Sequence, residues 1–384
     1  MNPITRKLLA KRKRRIERRL RKMQWSEQDR PMLSGSNIHY EVADKARAVG
    51  CGGIGVMHLL AQRVGLVEAI NKNLHLLKVH LPYHESDHVL NIAYNILAGG
   101  TCLEDLEHCR TDEAYLDGLG AKCAPDPTTA GDFCRRFGVP DIVTLMETIN
   151  EVRLGVWKRQ PKSFFKQAII DADGTLATTY GQCKEGMDIS YKGQWGYHPL
   201  VISLANTGEP LYLVNRSGNR PSHEGAGQWL DRAVGLCRRA GFKKVLLRGD
   251  TDFTQSENLD GWDDGGVGFI FGIDAMPNLV AMADELPASA WKKLVRGPKY
   301  EVQTEPRARP ENVKERIVRQ REFDNIRLQS EDVAEIGYRP TKCRKVYRLV
   351  VLRKKLTVRK GERAWFDEVR DFCECAHAVK VLAH

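Results

Sequence analysis

The 384-residue sequence predicts a mixed α/β fold with an all-helical N-terminal region and a β-rich insertion. Three observations carry this. Apolar residues recur at three- and four-residue spacing up to about residue 150. From Pro161 the pattern changes to short apolar runs bounded by glycines and acids, with one amphipathic helix among them. After about residue 275 a basic stretch of alternating, strand-like pieces follows. The expected organisation is a basic N-terminal arm (1–28), a helical region (29–160), an α/β core (161–275), a basic β-rich insertion (276–365) and a short return to the core (366–384).

The arm comes first. Residues 1–23 carry 11 Lys/Arg against the single acid Glu17. Leu9, Ile16, Leu20 and Met23 fall on one narrow helical stripe, too narrow to fold alone. The arm is therefore either a solvated tail or a helix formed on a polyanion, with Arg12, Lys13, Arg14, Arg15, Arg18 and Arg19 contacting phosphates. In the helical region, 55–70 and 87–100 show helical spacing, and Gly99-Gly100 stops the second. Asp126-Pro127-Thr128-Thr129 is an N-terminal capping signal for a further helix through Phe133 and Phe137.

In the core, residues 164–175 read as a buried strand ending in acids. Residues 197–208 and 210–219 read as two more strands joined by a tight turn containing Gly208. The helix 225–241 places Trp229, Ala233, Leu236 and Cys237 on one face. A strand at 243–250, a short helix near 255–263 and a strand at 267–274 complete the order strand, strand, strand, helix, strand, helix, strand. That is the ribonuclease H-like order.

Residues 299–358 return to Arg/Lys-rich pieces that could line one face of a sheet. Between 292 and 363 there are 22 Lys/Arg against 10 Asp/Glu, so two basic segments flank an acidic middle within a chain of net charge +11. Such a distribution favours a polyanionic partner. No window of 18 apolar residues exists, which excludes a helical membrane span. Ten cysteines without a CxxC pair fit reduced thiols in a cytosolic protein. No apolar run follows the basic start, which excludes a secretory signal, and the scarcity of serine argues against a transit peptide.

Three patterns compete for chemistry. Gly50-Cys51-Gly52-Gly53-Ile54-Gly55 has glycines at dinucleotide-binding spacing, but no convincing buried strand precedes it, so it reads as a turn into a helix. His84-Glu85-Ser86-Asp87-His88 has the form HExxH, in which two histidines could hold zinc with Glu104 or Glu107 as a third ligand. Ser86 and Asp87 instead suggest a solvent-facing helix start. Cys373, Cys375 and His377 have poor zinc spacing.

The third pattern is acidic. Asp171 and Asp173 end the first core strand, and Asp250 and Asp252 end the fourth. Residues two apart on a strand share a face. If the first and fourth strands are neighbours, the two patches meet, and their repulsion calls for a divalent cation. Magnesium, which prefers carboxylate and water oxygens, is the expected ion.

The blocks 169–182 (IIDADGTLATTYGQ), 196–203 (GYHPLVIS), 215–226 (NRSGNRPSHEGA) and 245–253 (VLLRGDTDF) resemble, in order, those of insertion-sequence transposases with a DDE catalytic domain. The resemblance extends from about residue 40 to 372. It implies a ribonuclease H-like core interrupted by a β-rich insertion. It also implies Mg²⁺-dependent (or Mn²⁺-dependent) cutting and rejoining of double-stranded DNA at terminal inverted repeats and target sites, with a homodimer on the DNA as one assembly. Matched by position, the family's first two catalytic and metal-binding acids fall on Asp173 and Asp250, with Asp171 and Asp252 supporting. Arg248, Arg353, Lys354 and Lys355 join the arm as expected DNA contacts. The family's third acid, a Glu in a Tyr/Arg/Glu/Lys-type signature, has no counterpart here. The last tyrosine is Tyr347, and Glu362, Glu368 and Glu374 stand in no such signature. The expectation is a cytoplasmic, nucleoid-associated transposase whose chain stops short of that acid and whose catalysis is impaired. The alternatives are a non-catalytic DNA-binding remnant and, less favoured, an HExxH zinc protease.

Overall fold

The computed structural model describes residues 3–21, 23, 25–35, 50–179, 181, 184–295, 328–356 and 378–382. The chain divides into two compact units, Met1–Gln160 and Pro161–His384.

The first unit is helical: α1 (Pro3–Leu20), α2 (Ile54–Arg63), α3 (Leu66–Asn73), α4 (Glu85–Leu97), α5 (Leu106–Arg110), α6 (Glu113–Gly118), α7 (Pro127–Cys134) and α8 (Val139–Trp157). The helix expected over 55–70 is two helices. Gly65 takes φ 81° between them, a left-handed conformation that a β-carbon disfavours. Asp126 caps α7 by accepting from the Thr129 amide at 2.9 Å. That helix stops at Cys134, before Phe137, and α8 starts at Val139 with Pro140 in its first turn. The basic arm is helix α1, and its Ile16 lies in the same core as Leu90, Tyr94, Leu116 and Leu119. Gly50–Gly53 form a turn into α2.

HExxH is a correction. Helix α4 begins at Glu85 with His84 as its cap, and residues 84–88 are buried rather than solvent-facing. Their side chains tie down loops. Asp87 accepts from the amides of Met32 and Leu33, each at 2.8 Å, and from that of His84 at 2.8 Å. Glu85 accepts from the amides of Leu76 and Leu77 at 3.0 Å. His84 donates through Nε2 to the Gln28 carbonyl at 2.8 Å, while His88 stacks on Phe133 with centroids 4.3 Å apart.

The second unit contains β1 (Ala168–Gly174), β2 (Ala177–Thr178), β3 (Asp188–Ile189), β4 (Trp195–Tyr197), β5 (Leu200–Leu204), β6 (Glu209–Val214), α9 (Ala226–Ala240), β7 (Val245–Gly249), α10 (Ser256–Asp264), β8 (Val267–Ile273), α11 (Pro277–Asp284), β9 (Lys292–Leu294), β10 (Leu328–Tyr338), β11 (Tyr347–Leu356) and β12 (Ala378–Leu382). The main sheet runs β6-β5-β1-β7-β8-β12-β11-β10-β9, and β2, β4 and β3 form a small second sheet. β6, β5 and β1 are antiparallel, whereas β1, β7 and β8 are parallel. This is the ribonuclease H-like arrangement. Parallel neighbours require a crossover, supplied by α9 between β6 and β7 and by α10 between β7 and β8. Helix α9 buries Leu230, Ala233, Val234, Leu236 and Cys237, and ends at Gly241 with φ 98°.

After β8 the chain forms helix α11 before its strands, so the segment following the core is not purely β. Nor are its described strands a bare basic face. Opposite β11, β10 carries Glu331, Asp332 and Glu335. Glu331 faces Lys354 across the ladder, Asp332 faces Arg353, and Glu335 pairs with Arg348. The expected strand-like pieces at 299–323, together with Cys373, Cys375, His377 and the acids Glu362, Glu368 and Glu374, lie outside the described residues. No described helix is long and apolar enough to cross a membrane.

Candidate active site on the parallel strand tips

Strand β1 buries Ala168, Ile170 and Ala172 and turns Ile169, Asp171 and Asp173 to the other face. Strand β7 buries Val245 and Leu247 and exposes Arg248 on the face opposite to theirs. In the parallel register, Ala168 sits beside Val245 and Asp171 beside Arg248. Continuing two residues along each strand brings Asp173 level with Asp250. Asp171, Asp173, Arg248 and Asp250 line a common cleft of about 610 Å³ with Thr251, Ile270 and Gly272. The two acidic tips predicted from distant sequence therefore meet.

The four acids stand differently. Asp171 receives both arms of Arg248, Nε and Nη2, each at 2.7 Å. Its charge is answered, and the pairing raises the affinity of Arg248 for its proton. Asp173 is exposed at the strand end. Asp250 caps a 3₁₀ turn at Thr251–Phe253, accepting the Asp252 amide through Oδ1 at 3.0 Å and leaving its second oxygen unclaimed by that turn. Its carboxyl is raised from the ordinary value, first by burial and further by the negative charges of Asp252, Asp173 and Asp274. The Asp252 amide works the other way.

Asp274, which no sequence motif marks and reading the sequence missed, adds its negative charge to Asp250 but lines a neighbouring pocket rather than the cleft itself. It follows the end of β8, and in the β7–β8 register Gly249 lies beside Phe271, so Gly272 is level with Asp250. The only signal was an apolar strand ending in Ile273-Asp274, as at Asp171 and Asp250. Gly272 is needed at this point: a β-carbon there would lie 2.9 Å from the Thr251 amide nitrogen. The turn carrying Asp250 thus rests directly on β8.

Behind β1, His198 and Ser222 crowd Gly174. His198 Nδ1 is 2.9 Å from the Arg220 carbonyl oxygen. Arg216 donates to the carbonyl oxygens of His198, Pro221, Ser222 and Glu224 at 2.9–3.2 Å. These contacts join the segments 196–203 and 215–226 beside the Asp173 tip.

The donor set suits a hard divalent cation. Three carboxylates line one cleft, Arg248 is engaged by Asp171, and no ion pair to Asp250 is found among the described residues, so negative charge is in surplus there. By contrast, His80, His84 and Glu85 have ligand atoms within 4.8 Å of one another, yet the two imidazoles stack nearly parallel with centroids 3.9 Å apart. In-plane lone pairs of stacked rings run side by side and do not converge on one ion. Of the HExxH residues, His84 and Glu85 are held by protein partners, and Glu107 pairs with Arg110 and Lys13.

The expected DNA contacts are divided. Arg12 pairs with Asp112, Lys13 with Glu107, Arg15 with Glu113 and Arg19 with Asp117. Arg353 pairs with Asp332 and lies 3.9 Å over the Trp291 ring. Arg14, Arg18 and Lys354 are exposed. The Lys355 side chain is outside the described residues.

Acids on the tips of adjacent parallel strands, in a sheet that runs β6-β5-β1-β7-β8, define a ribonuclease H-like scaffold. The family model described as Transposase DDE domain group 1 matches residues 34–331, and the chain belongs to that family. Among solved structures, one similar chain is in the cryo-EM structure of a piggyBac transposase synaptic complex with hairpin DNA. Its TM-score is 0.32 and its identity 10%, with 84% of this chain and 65% of that chain covered. The chain thus spans just under two thirds of that relative. No curated protein matches it.

Proposed function

We propose that the chain is a transposase that cuts and rejoins double-stranded DNA at the ends of a mobile element. The residues Asp173 and Asp250 would hold the metal, with Asp171 and Asp252 supporting them. One observation carries the reading: in a member of the DDE domain family, the first and fourth core strands are parallel neighbours whose acidic tips share a cleft.

Each side chain has a distinct part. Arg248 fixes the Asp171 carboxylate in a bidentate pair, which stiffens the β1 tip just before Asp173. The Asp252 amide holds one oxygen of Asp250, so the other is presented in a set direction. Mg²⁺, or Mn²⁺, when bound would supply Lewis-acid activation of the attacking hydroxyl and of the phosphodiester. Exposed basic residues such as Arg14, Arg18 and Lys354 would hold phosphates at both element ends and target. Terminal inverted repeats are the proposed substrate, a homodimer on DNA the proposed assembly, and the cytoplasmic nucleoid the proposed setting.

The test is Mn²⁺- and Mg²⁺-dependent nicking of duplexes carrying candidate element ends. Asp173→Asn and Asp250→Asn should each lower cleavage by about 100-fold or more, since even the outer partners of a metal ligand are worth about 10- to 100-fold. Both should keep DNA binding. Wild-type chain that binds the ends and never nicks them would instead establish a non-catalytic binder.

A further inference from the structure

Helix α1 has two faces with different electrostatic fates. On its inner side Ile16 is buried and Leu20 packs against the same core. Arg12, Arg15 and Arg19 flank that side and reach Asp112, Glu113 and Asp117 at 3.1, 3.3 and 3.0 Å. Arg19 also donates to the Ala121 carbonyl at 3.4 Å. A helix with this density of like charge would not hold alone, and α6, with Asp112 capping its start, supplies the anions that anchor it.

The outer side has no such partners. Lys7, Lys11, Arg14 and Arg18 follow the spacing i, i+4, i+7, i+11. At about 100° per residue they fall within about 40° of the direction opposite Ile16. All four are exposed, and none forms an ion pair among the described residues. Glu17, the one acid of α1, lies off this stripe. At about 1.5 Å rise per residue, the stripe runs about 16 Å along a straight helix. Like charges at i, i+3 and i, i+4 oppose helix formation, and among the described residues no ion pair offsets them. A row of phosphates would.

We propose that Lys7, Lys11, Arg14 and Arg18 form a preformed phosphate-binding stripe for duplex DNA, while Arg12, Arg15 and Arg19 are anchors that bind no DNA. The proposal rests on the transposase reading for its partner and on α1 alone for its geometry. A preformed stripe binds without the ordering cost that a disordered arm would carry. Its contacts are to backbone, so it adds affinity without sequence preference.

The test is fluorescence anisotropy of the full chain on a random-sequence duplex, titrated with salt. Each neutralised phosphate contributes about 0.9 to the slope of log K against log salt, so four contacts contribute about 3 to 4. The variant K7Q/K11Q/R14Q/R18Q should lose about that much slope, bind on the order of 100-fold more weakly at 0.1 M salt, and keep its helical circular dichroism. The anchor variant R12Q/R15Q/R19Q should unfold at lower temperature. Should the fourfold variant not fold, Lys11→Gln and Arg14→Gln singly should each remove about one unit of slope. An unchanged slope in a folded stripe variant, with wild type binding the random duplex and nicking duplexes that carry candidate element ends, overturns the stripe and leaves the transposase reading standing. A lost slope on the random duplex, with no nicking by wild type of duplexes carrying candidate element ends, supports the stripe and sinks the reading. Tighter binding of single-stranded RNA than of duplex DNA, with the slope following the same four residues, overturns duplex DNA as the partner.

Discussion

Asp250 is the side chain through which the cleft's electrostatics act most directly. It stands at an exposed strand tip, yet its carboxyl is raised by partial desolvation, and three further acids act on it. Asp274 is one of them, standing directly after the last residue of β8. If Asp274 takes part in holding the cation, Asp274→Asn should weaken Mn²⁺ binding, read by calorimetry without DNA, by about 10-fold or more. Unchanged Mn²⁺ affinity would confine Asp274 to shaping the turn. The meeting of the strand tips was legible because acids two apart after an apolar run mark a strand end, and the order of elements makes the first and fourth strands neighbours. The Arg248–Asp171 clamp was not legible. Nothing in local sequence says that residues 77 positions apart will be cross-strand partners.

At the scale of elements, the N-terminus of α4 shows how a sequence pattern can mislead about burial. Ser86 and Asp87 correctly signalled a helix start, but the polar residues there are among the most enclosed in the first unit, because loop amides come to them. Asp87→Ala would strand three backbone N–H groups inside the protein, at about 1 kcal/mol or more each. The expected loss is about 3 kcal/mol, measured by denaturant unfolding, with no effect on residual metal binding at the strand tips. Similarly, the charge of α1 could be counted from sequence, whereas its division into anchored and free cations depended on acids some hundred residues away. The acids opposite β11 were hidden in the same way: a strand's own alternation does not reveal the charge of its ladder partner.

At the scale of the whole molecule, the two units should answer to different solutes. In the first, His58 donates to the Leu33 carbonyl and accepts from the Tyr94 hydroxyl, a neutral arrangement. Burial lowers its proton affinity, and burial beside Phe133 lowers that of His88 to about 4 from 6.5. An unfolded chain binds a proton on His88 near pH 6.5, and the folded one only near 4. The folded state therefore keeps its full stability above pH 6.5 and loses it as pH falls through that window, by about 3 kcal/mol for His88 alone. Asp87, raised by burial, works in the opposite sense as pH falls from its raised value towards its ordinary 3.8. In the second unit the proposed solute is a divalent cation, whose binding at 100 times its Kd would stabilise by about 2.7 kcal/mol. Hydrogen exchange followed by mass spectrometry separates the two. Lowering pH from 6.5 to 4.5, with rates corrected for intrinsic exchange, should loosen peptides covering α4 and α7, and His88→Phe should remove most of that response. Adding Mn²⁺ at pH 7 should protect peptides covering the ends of β1, β7 and β8, and Asp250→Asn should abolish the protection. Protection by Mn²⁺ centred on residues 80–88 would instead place the metal at the stacked histidines and overturn the carboxylate cleft as its site.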